Sequence, residues 1–385
     1  MNPSRFERLS RFMAYYSLAF SYLALHNGVF AQRYAKITTS EEPLVLKSRG
    51  SFFVGGESVY RTVTQVGHGL LEGNLTVNQM YVGYMIPAEQ SHSDVVLVHG
   101  DTLSGKSYET TPDGRMGWDE WFVRSGRGVF NVDLSTRGRS GFDPAAFNDV
   151  RAGLVHPDTQ PRLYRCEDDI CSWVEFRTGP EFGTQYPGNQ FPVEAIFEFS
   201  KQNVPSVKAA SPNPNVDRDN LLELADELEG NAFVLAHSFG GQYPPQVIAK
   251  NPDAYKGYML VEGSCSLTWN DEQLDNLAKV PQLYIWGDNI RADTGVAGFN
   301  WGDFLDACTT YAEQINARGG SVLNLVLPDI GVHGNTHCLM MDRNSHQVAA
   351  ILNSWMEHIE SGAQKPWVPG TGIINRTRGS TSQDD

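Results

Sequence analysis

Ser238, His337 and two carboxylates, Glu262 and Asp288, fall at intervals that suit nucleophilic catalysis. Ser238 sits in Phe233-Val-Leu-Ala-His-Ser-Phe-Gly-Gly241, where an apolar run is followed by a tight, small-residue turn and a helical pattern from Gln242 to Lys250. That order reads as a nucleophile elbow, with Ala236 where the first Gly of G-x-S-x-G usually stands. Read without the flanking pattern, it would be an ordinary strand-to-helix loop. A serine hydroxyl is a poor nucleophile at neutral pH; it needs a base, and the base needs a third group to fix its tautomer. The loop Gly331-Val-His-Gly-Asn-Thr-His337-Cys338 offers His337 as the base and His333 as a shaping residue. Asp288 in Tyr284-Ile-Trp-Gly-Asp288 and Glu262 in Met259-Leu-Val-Glu-Gly263 each end a buried run, and spacing leaves the choice of acid open. Oxyanion donors are expected from the backbone N–H of Phe239, after the nucleophile, and of Asp101, after His99-Gly100. The Asp101 carboxylate would oppose an anionic intermediate unless protonated or turned away. No H-E-x-x-H, paired C-x-x-C or phosphate-cradling loop occurs, so no metal and no cofactor is expected.

These residues need strands to carry them. Ser51–Gly56 and Asn78–Ile86 alternate as antiparallel edge strands. Asp94–Val98, Gly128–Asp133, Phe233–Ala236, Tyr258–Val261, Gln282–Trp286 and Val322–Leu327 read as buried parallel strands, with helical patterns between them at Asn220–Leu228 and Ser345–Ile359. The alternation implies an α/β fold with a doubly wound, mostly parallel sheet, whose ligands bind beyond the carboxyl ends of the strands. Residues 145–215 are rich in Pro, Gly and aromatics and too long for a connection, which reads as a cap. The tail 362–385 reads as disordered. The catalytic domain is thus expected over 32–361.

The chain has 385 residues, a formal charge of -15 and five cysteines. Its acidity speaks against nucleic acid and anionic membrane surfaces as partners. Arg5, Arg8 and Arg11, the apolar stretch from Phe12 to Leu25, and Val29-Phe-Ala31 read as a signal peptide, 1–31, cut ahead of Gln32. Secretion to an extracellular or periplasm-like compartment, without stable membrane insertion after cleavage, is the expectation. There Cys166 with Cys171, and Cys265 with Cys308, could form disulfides, leaving Cys338 over. Asn74 and Asn375 begin N-x-Thr sequons.

Gly50–Gly56, Thr110-Thr-Pro-Asp-Gly-Arg-Met-Gly-Trp-Asp-Glu120, Arg137-Gly-Arg-Ser140 and Gly331–His337 resemble a small group of atypical α/β-hydrolase serine esterases, with a bacterial periplasmic member and secreted fungal relatives. The resemblance spans about Arg49 to Ile359. It implies a capped α/β-hydrolase fold with Ser238 as nucleophile, His337 as base and the amides of Asp101 and Phe239 as oxyanion donors. It implies Glu262 rather than Asp288 as acid, and it supports a Cys265–Cys308 bridge. The chain departs from the bacterial member at Asp101-Thr102, which are adjacent cysteines there, and at Phe239, which is Gln there. Both changes alter the lining of the oxyanion region.

The leading expectation is hydrolysis of a small apolar or aromatic ester through an acyl-Ser238 intermediate. The alternatives are a non-hydrolytic enzyme on the same fold, performing lactonisation, condensation or cyclisation, and a catalytically silent binding protein. Oligomeric state is not legible.

Overall fold

The computed structural model describes residues 42–167, 169–207, 213–363 and 366–369, with Ile37 and Ser40. The expected leader 1–31, most of the tail 362–385 and the sequon at Asn375 lie outside these residues.

Eight strands form one sheet in the order β1-β2-β4-β3-β5-β6-β7-β8. They are β1 (Leu46–Arg61), β2 (Gly73–Pro87), β3 (Asp94–Val98), β4 (Val129–Asp133), β5 (Ala232–His237), β6 (Gly257–Val261), β7 (Gln282–Trp286) and β8 (Val322–Val326). β1 and β2 run antiparallel at one edge, and β3 to β8 are parallel. The helices of six residues or more are α1 (Trp118–Arg124), α2 (Ala145–Arg151), α3 (Ile196–Lys201), α4 (Val216–Glu227), α5 (Tyr243–Lys250), α6 (Asp271–Leu277), α7 (Trp301–Asn316) and α8 (Ser345–Glu360).

The inner strands are apolar at successive positions because both faces are covered. Val95, Leu97, Phe233, Leu235, Met259, Val261, Leu283 and Ile285 point to one face, packed by Trp118 and Phe122 of α1, Trp355 of α8 and aromatic residues of the 145–215 segment. Val96, Val98, Val234, Ala236, Tyr258, Leu260, Tyr284 and Trp286 point to the other, packed by α4 to α7. Register aligns the carboxyl ends. Val98 pairs with Ala236, His237 with Val261, Val261 with Ile285, and Trp286 with Val326. Whatever follows each strand therefore emerges along one rim.

Two elements run further than their sequence pattern. β1 and β2 pair from Leu46↔Pro87 to Arg61↔Gly73, whereas β2 meets β4 only over Tyr81–Met85. The ribbon continues past the β4 pairing, and on β1 the stretch Gly55–Arg61 is mostly exposed and carries no apolar alternation. α4 begins at Val216, four residues before the periodic pattern. Asp217 and Asp219 in its first turn favour the positive helix end, and Asp217 accepts the Ser135 N–H at 2.9 Å.

The segment 145–215 contains α2, α3, short 3-10 turns and a π-helical turn at Ile170–Glu175. A Cys166–Cys171 disulfide closes the loop that enters that turn. A second disulfide, Cys265–Cys308, ties the loop after β6 to α7. Cys338 is free and buried.

Candidate active site

Ser238 is the first residue beyond β5 and has φ 53°, the left-handed region. A non-glycine residue held there costs on the order of 1–3 kcal/mol and persists only when its surroundings impose it. The imposition here is close packing: a Cβ on Gly240 would stand 2.3 Å from the His99 carbonyl. The helix after the elbow thus lies directly against the end of β3. Ser238 keeps partial exposure, and Pro244 and Pro245 occupy the first turn of α5, where backbone N–H groups have no intrahelical partner.

The loop after β3 lies against Ser238. A Cβ on Gly100 would come within 2.7 Å of His237 Nδ1 and 3.0 Å of Ser238 Cβ. His99 shapes this loop: Nδ1 donates to the Gly100 carbonyl at 2.7 Å, and Nε2 accepts the Leu134 N–H at 3.0 Å. That pattern requires a neutral ring, and burial, only partly offset by Asp133, holds its pKa down to about 4. The Asp101 carboxylate is turned aside and paired. It accepts from Arg137 Nη2 at 2.7 Å and Ser206 Oγ at 2.9 Å, and the Arg137 guanidinium lies 5.7 Å from the Phe239 ring centroid. The Phe239 N–H belongs to the first turn of the 3-10 helix Ser238–Gln242.

His337 is fully buried and makes the contacts of an oriented base. Its Nδ1 donates to Glu262 Oε2 at 2.9 Å, which leaves Nε2 as the lone-pair nitrogen, and Nε2 has no hydrogen-bond partner within the protein. Its carbonyl accepts His237 Nε2–H at 3.0 Å, tying the base loop to the residue before the nucleophile. Burial lowers the His337 pKa, against the raising effect of Glu262, so the ring is neutral near pH 7. Glu262 is the first residue after β6, has φ 47° and is sealed from solvent. Burial alone would raise its pKa; Arg177 and His337 override this and hold it down to about 2.

Asp288, one strand over, faces another way. Its Oδ2 accepts the Asn335 N–H at 2.9 Å and its Oδ1 lies 3.6 Å from His333 Nδ1. It shapes the base loop, and His333 is exposed at its edge. Asp342 also braces this loop, accepting from the Thr336 N–H and hydroxyl at 2.8 Å each and from Asn335 Nδ2 at 3.0 Å.

Sequence reasoning missed Arg177. Its Nη2 donates to both Glu262 oxygens, at 2.5 and 2.6 Å, and its Nε to the Asp288 carbonyl at 2.9 Å. It lies 85 positions from Glu262 in an aromatic stretch of the cap. The one available signal was a lone basic residue in Trp173-Val-Glu-Phe-Arg177, a run otherwise suited to burial. Arg137 was seen only as part of a motif, yet it is buried on Asp101.

A cavity of about 410 Å³ lies elsewhere, between β1, β2, β4 and the segment before α1, and is lined by Arg49, Glu109, Thr110, Asp119 and Arg139 among others. Ser238, Glu262 and His337 do not line it. The Thr110–Glu120 run supplies part of its wall, while its Arg115 donates to the Met341 and Asp342 carbonyls behind the His337 loop. Among the described residues no group of three or more His, Cys, Asp or Glu side chains is placed to hold a metal ion. Asn74 is exposed on β2.

No family model matches the chain. It is 21% identical over 323 residues to a probable secreted lipase, phiG, of Fungal sp. (strain ATCC 74256), covering 72% of this chain and 85% of that protein. It superposes on a bacterial esterase solved at atomic resolution with a TM-score of 0.76 and 38% identity, covering 83% of this chain and 98% of that one. At that identity and coverage the chain belongs to the same family of α/β-hydrolase esterases, and it is a carboxylic ester hydrolase.

Proposed function

We propose that the chain is a secreted serine esterase that cleaves small apolar or aromatic esters through an acyl-Ser238 intermediate. One observation carries the mechanism: a neutral, buried imidazole has Nδ1–H fixed on an ionised Glu262 and its Nε2 lone pair uncommitted, beside the elbow that carries Ser238. In this reading His337 Nε2 takes the Ser238 proton as the hydroxyl attacks the ester carbonyl. The amides of Asp101 and Phe239 receive the developing oxyanion. The imidazolium, stabilised by Glu262, then gives its proton to the leaving alcohol, and a second cycle with water releases the acid. Pairing with Arg137 removes the objection that the Asp101 carboxylate would repel the oxyanion, and it also leaves that carboxylate poorly placed to act as a base of its own.

Aromatic walls around the base favour an apolar acyl or alcohol group: the Trp301 ring centroid is 4.0 Å and that of Phe176 4.8 Å from His337. Two disulfides and the secreted fungal lipase favour secretion, and no described helix is long and apolar enough to cross a membrane. The domain assignment that fits is 32–361 with a cap over 145–215.

The test is protein expressed with its disulfides, challenged with a fluorophosphonate serine probe and a nitrophenyl ester series, beside Ser238→Ala. Labelling and turnover that both vanish in Ser238→Ala are expected. Turnover that survives that change would refute the acyl-enzyme mechanism. Amino-terminal sequencing of secreted protein should begin at or near Gln32.

A further inference from the structure

Three consecutive residues of the cap, Glu175, Phe176 and Arg177, brace the dyad of His337 and Glu262, the first through Trp301 and the other two directly. The Glu175 carbonyl accepts Trp301 Nε1–H at 2.6 Å, and Trp301 lies on His337. The Phe176 carbonyl accepts the His337 backbone N–H at 2.9 Å. The Arg177 guanidinium sits on Glu262, both side chains fully buried. Arg177 is itself in the left-handed region, φ 61°, directly after the π-helical turn. A π turn followed by a strained residue is an arrangement that proteins keep where a side chain must be re-aimed.

A carboxylate sealed from water is unstable as an anion unless cations or donors replace its hydration. With His337 alone as partner, Glu262 and the imidazole would hold a shared proton more tightly, as one coupled pair. The pair would then lose the state a general base requires, an anion beside a neutral ring.

We propose that Arg177 is a positioning residue for the reaction: the cap delivers its guanidinium to keep Glu262 anionic and aimed at His337, so the dyad is assembled only while the Glu175–Arg177 segment is seated. This inference rests on the acyl-Ser238 reading.

The other titratable groups around Glu262 and His337 are His237 from the end of β5, and Asp342 and Cys338 from the loop of His337; Tyr186 faces Arg177, whereas Asp288 meets it only through its backbone carbonyl, its carboxylate being turned to the Asn335 N–H. His237 is held neutral by burial, with His337 adding to the effect. Cys338 is kept as a thiol by burial. Among these groups Arg177 is the permanent cation hydrogen-bonded to the acid. Removing it favours the protonated dyad, so the acid limb of activity must move to higher pH.

The experiment compares kcat/KM against pH, and the rate of fluorophosphonate labelling against pH, in wild type, Arg177→Met and Arg177→Lys. The expected result is an acid limb moved up by about one unit or more in Arg177→Met, in both readouts, with a lowered plateau. Arg177→Lys keeps the charge and should restore the limb most of the way. An unmoved limb in folded Arg177→Met, whatever its kcat, overturns the proposal, because a merely structural peg would lower activity without moving the titration. If Arg177→Met does not fold, Glu262→Gln/Arg177→Met decides. Recovery of folded protein when both charges are removed supports the pairing role, and failure of the double variant to fold overturns it. Wild type that is not labelled would remove the acyl-enzyme reading itself; labelled wild type with an unmoved variant limb would remove only the role of Arg177.

Discussion

Glu262→Gln changes almost no volume and tests both chemistry and stability. The carboxylate oxygens accept four contacts: Arg177 Nη2 on each, the Gly287 N–H on Oε1 at 2.6 Å, and His337 Nδ1–H on Oε2 at 2.9 Å. An amide supplies one oxygen. If its NH2 takes the Oε1 place it meets the Gly287 N–H; if it takes the Oε2 place it meets the His337 Nδ1–H. Either way Arg177 Nη2 also faces a donor, and the guanidinium becomes an unpaired cation. Both partners are at 0% side-chain exposure, so solvent does not screen the loss. Removing one member of a sealed pair costs about 3–5 kcal/mol.

At about 2 °C per kcal/mol for a domain of this size, the melting temperature at pH 7 should fall by roughly 6–10 °C. The pH dependence has a fixed sign. A carboxyl whose folded pKa is depressed stabilises above its unfolded value and loses that stabilisation as pH falls. The gap between wild type and variant should therefore narrow from about pH 4.5 toward pH 2. The kcat should fall on the order of 1000-fold or more, because an amide cannot stabilise the imidazolium. A variant melting within about 2 °C of wild type at pH 7 would show that Glu262 is not half of a stabilising pair, and one keeping kcat within about tenfold would show that it is not the acid.

Gly100→Ala would drive a methyl to 3.0 Å from Ser238 Cβ and 2.7 Å from His237 Nδ1; kcat for a nitrophenyl ester should drop at least about tenfold, and an unchanged kcat would place the oxyanion loop elsewhere. The Cys265–Cys308 disulfide closes a separation of 43 residues and Cys166–Cys171 one of 5, so paired Cys→Ser replacement should cost about 4 and about 2 kcal/mol respectively in denaturant unfolding, with the longer loop the costlier. His99 has a folded pKa of about 4 against 6.5, so the unfolded chain binds its proton first and stability is lost as pH falls from about 6.5 to about 4. Relative to His99→Asn, wild type should lose roughly 3 kcal/mol more between pH 7 and pH 4, read from urea midpoints; parallel curves would refute the neutral, buried assignment.

Much of the scaffold was legible because its signals are local. Val95–Val98, Phe233–Ala236 and Met259–Val261 are apolar at every position since both sheet faces are covered, and such runs name parallel strands without knowledge of the partner. The elbow was legible because a strand, a small-residue turn and a helix are contiguous. The acid was not. Glu262 and Asp288 both follow neighbouring strand ends, and only three-dimensional orientation separates them: Glu262 reaches the imidazole, while Asp288 is taken up by the Asn335 N–H. Arg177 lay beyond reach for a different reason. Its partner is 85 residues away and its own stretch carries no periodicity, so the contact exists only once the cap has folded onto the rim.

Ser238, Glu262 and Arg177 share a backbone feature that ties the chemistry to the fold. Each is a non-glycine residue in the left-handed region, at φ 53°, 47° and 61°. At about 1–3 kcal/mol apiece the three cost about 3–9 kcal/mol, comparable with the whole net stability of an ordinary domain. Glycine would relieve that strain and would remove the hydroxyl, the carboxylate and the guanidinium. The strain is borne because each residue is held on both sides. Ser238 stands between β5 and the Gly240 contact on β3, and Glu262 between β6 and the disulfide-tied Cys265. Arg177 stands between the Phe176 carbonyl on His337 and the Asp288 carbonyl. Two of these supports belong to the sheet and its flanking helix, and the third belongs to the cap. In the proposed mechanism such a rim has Ser238 fixed by the core, while the charge state of Glu262 depends on a segment with far less buried sheet structure behind it. Loosening the cap should therefore weaken the base before it disturbs the serine.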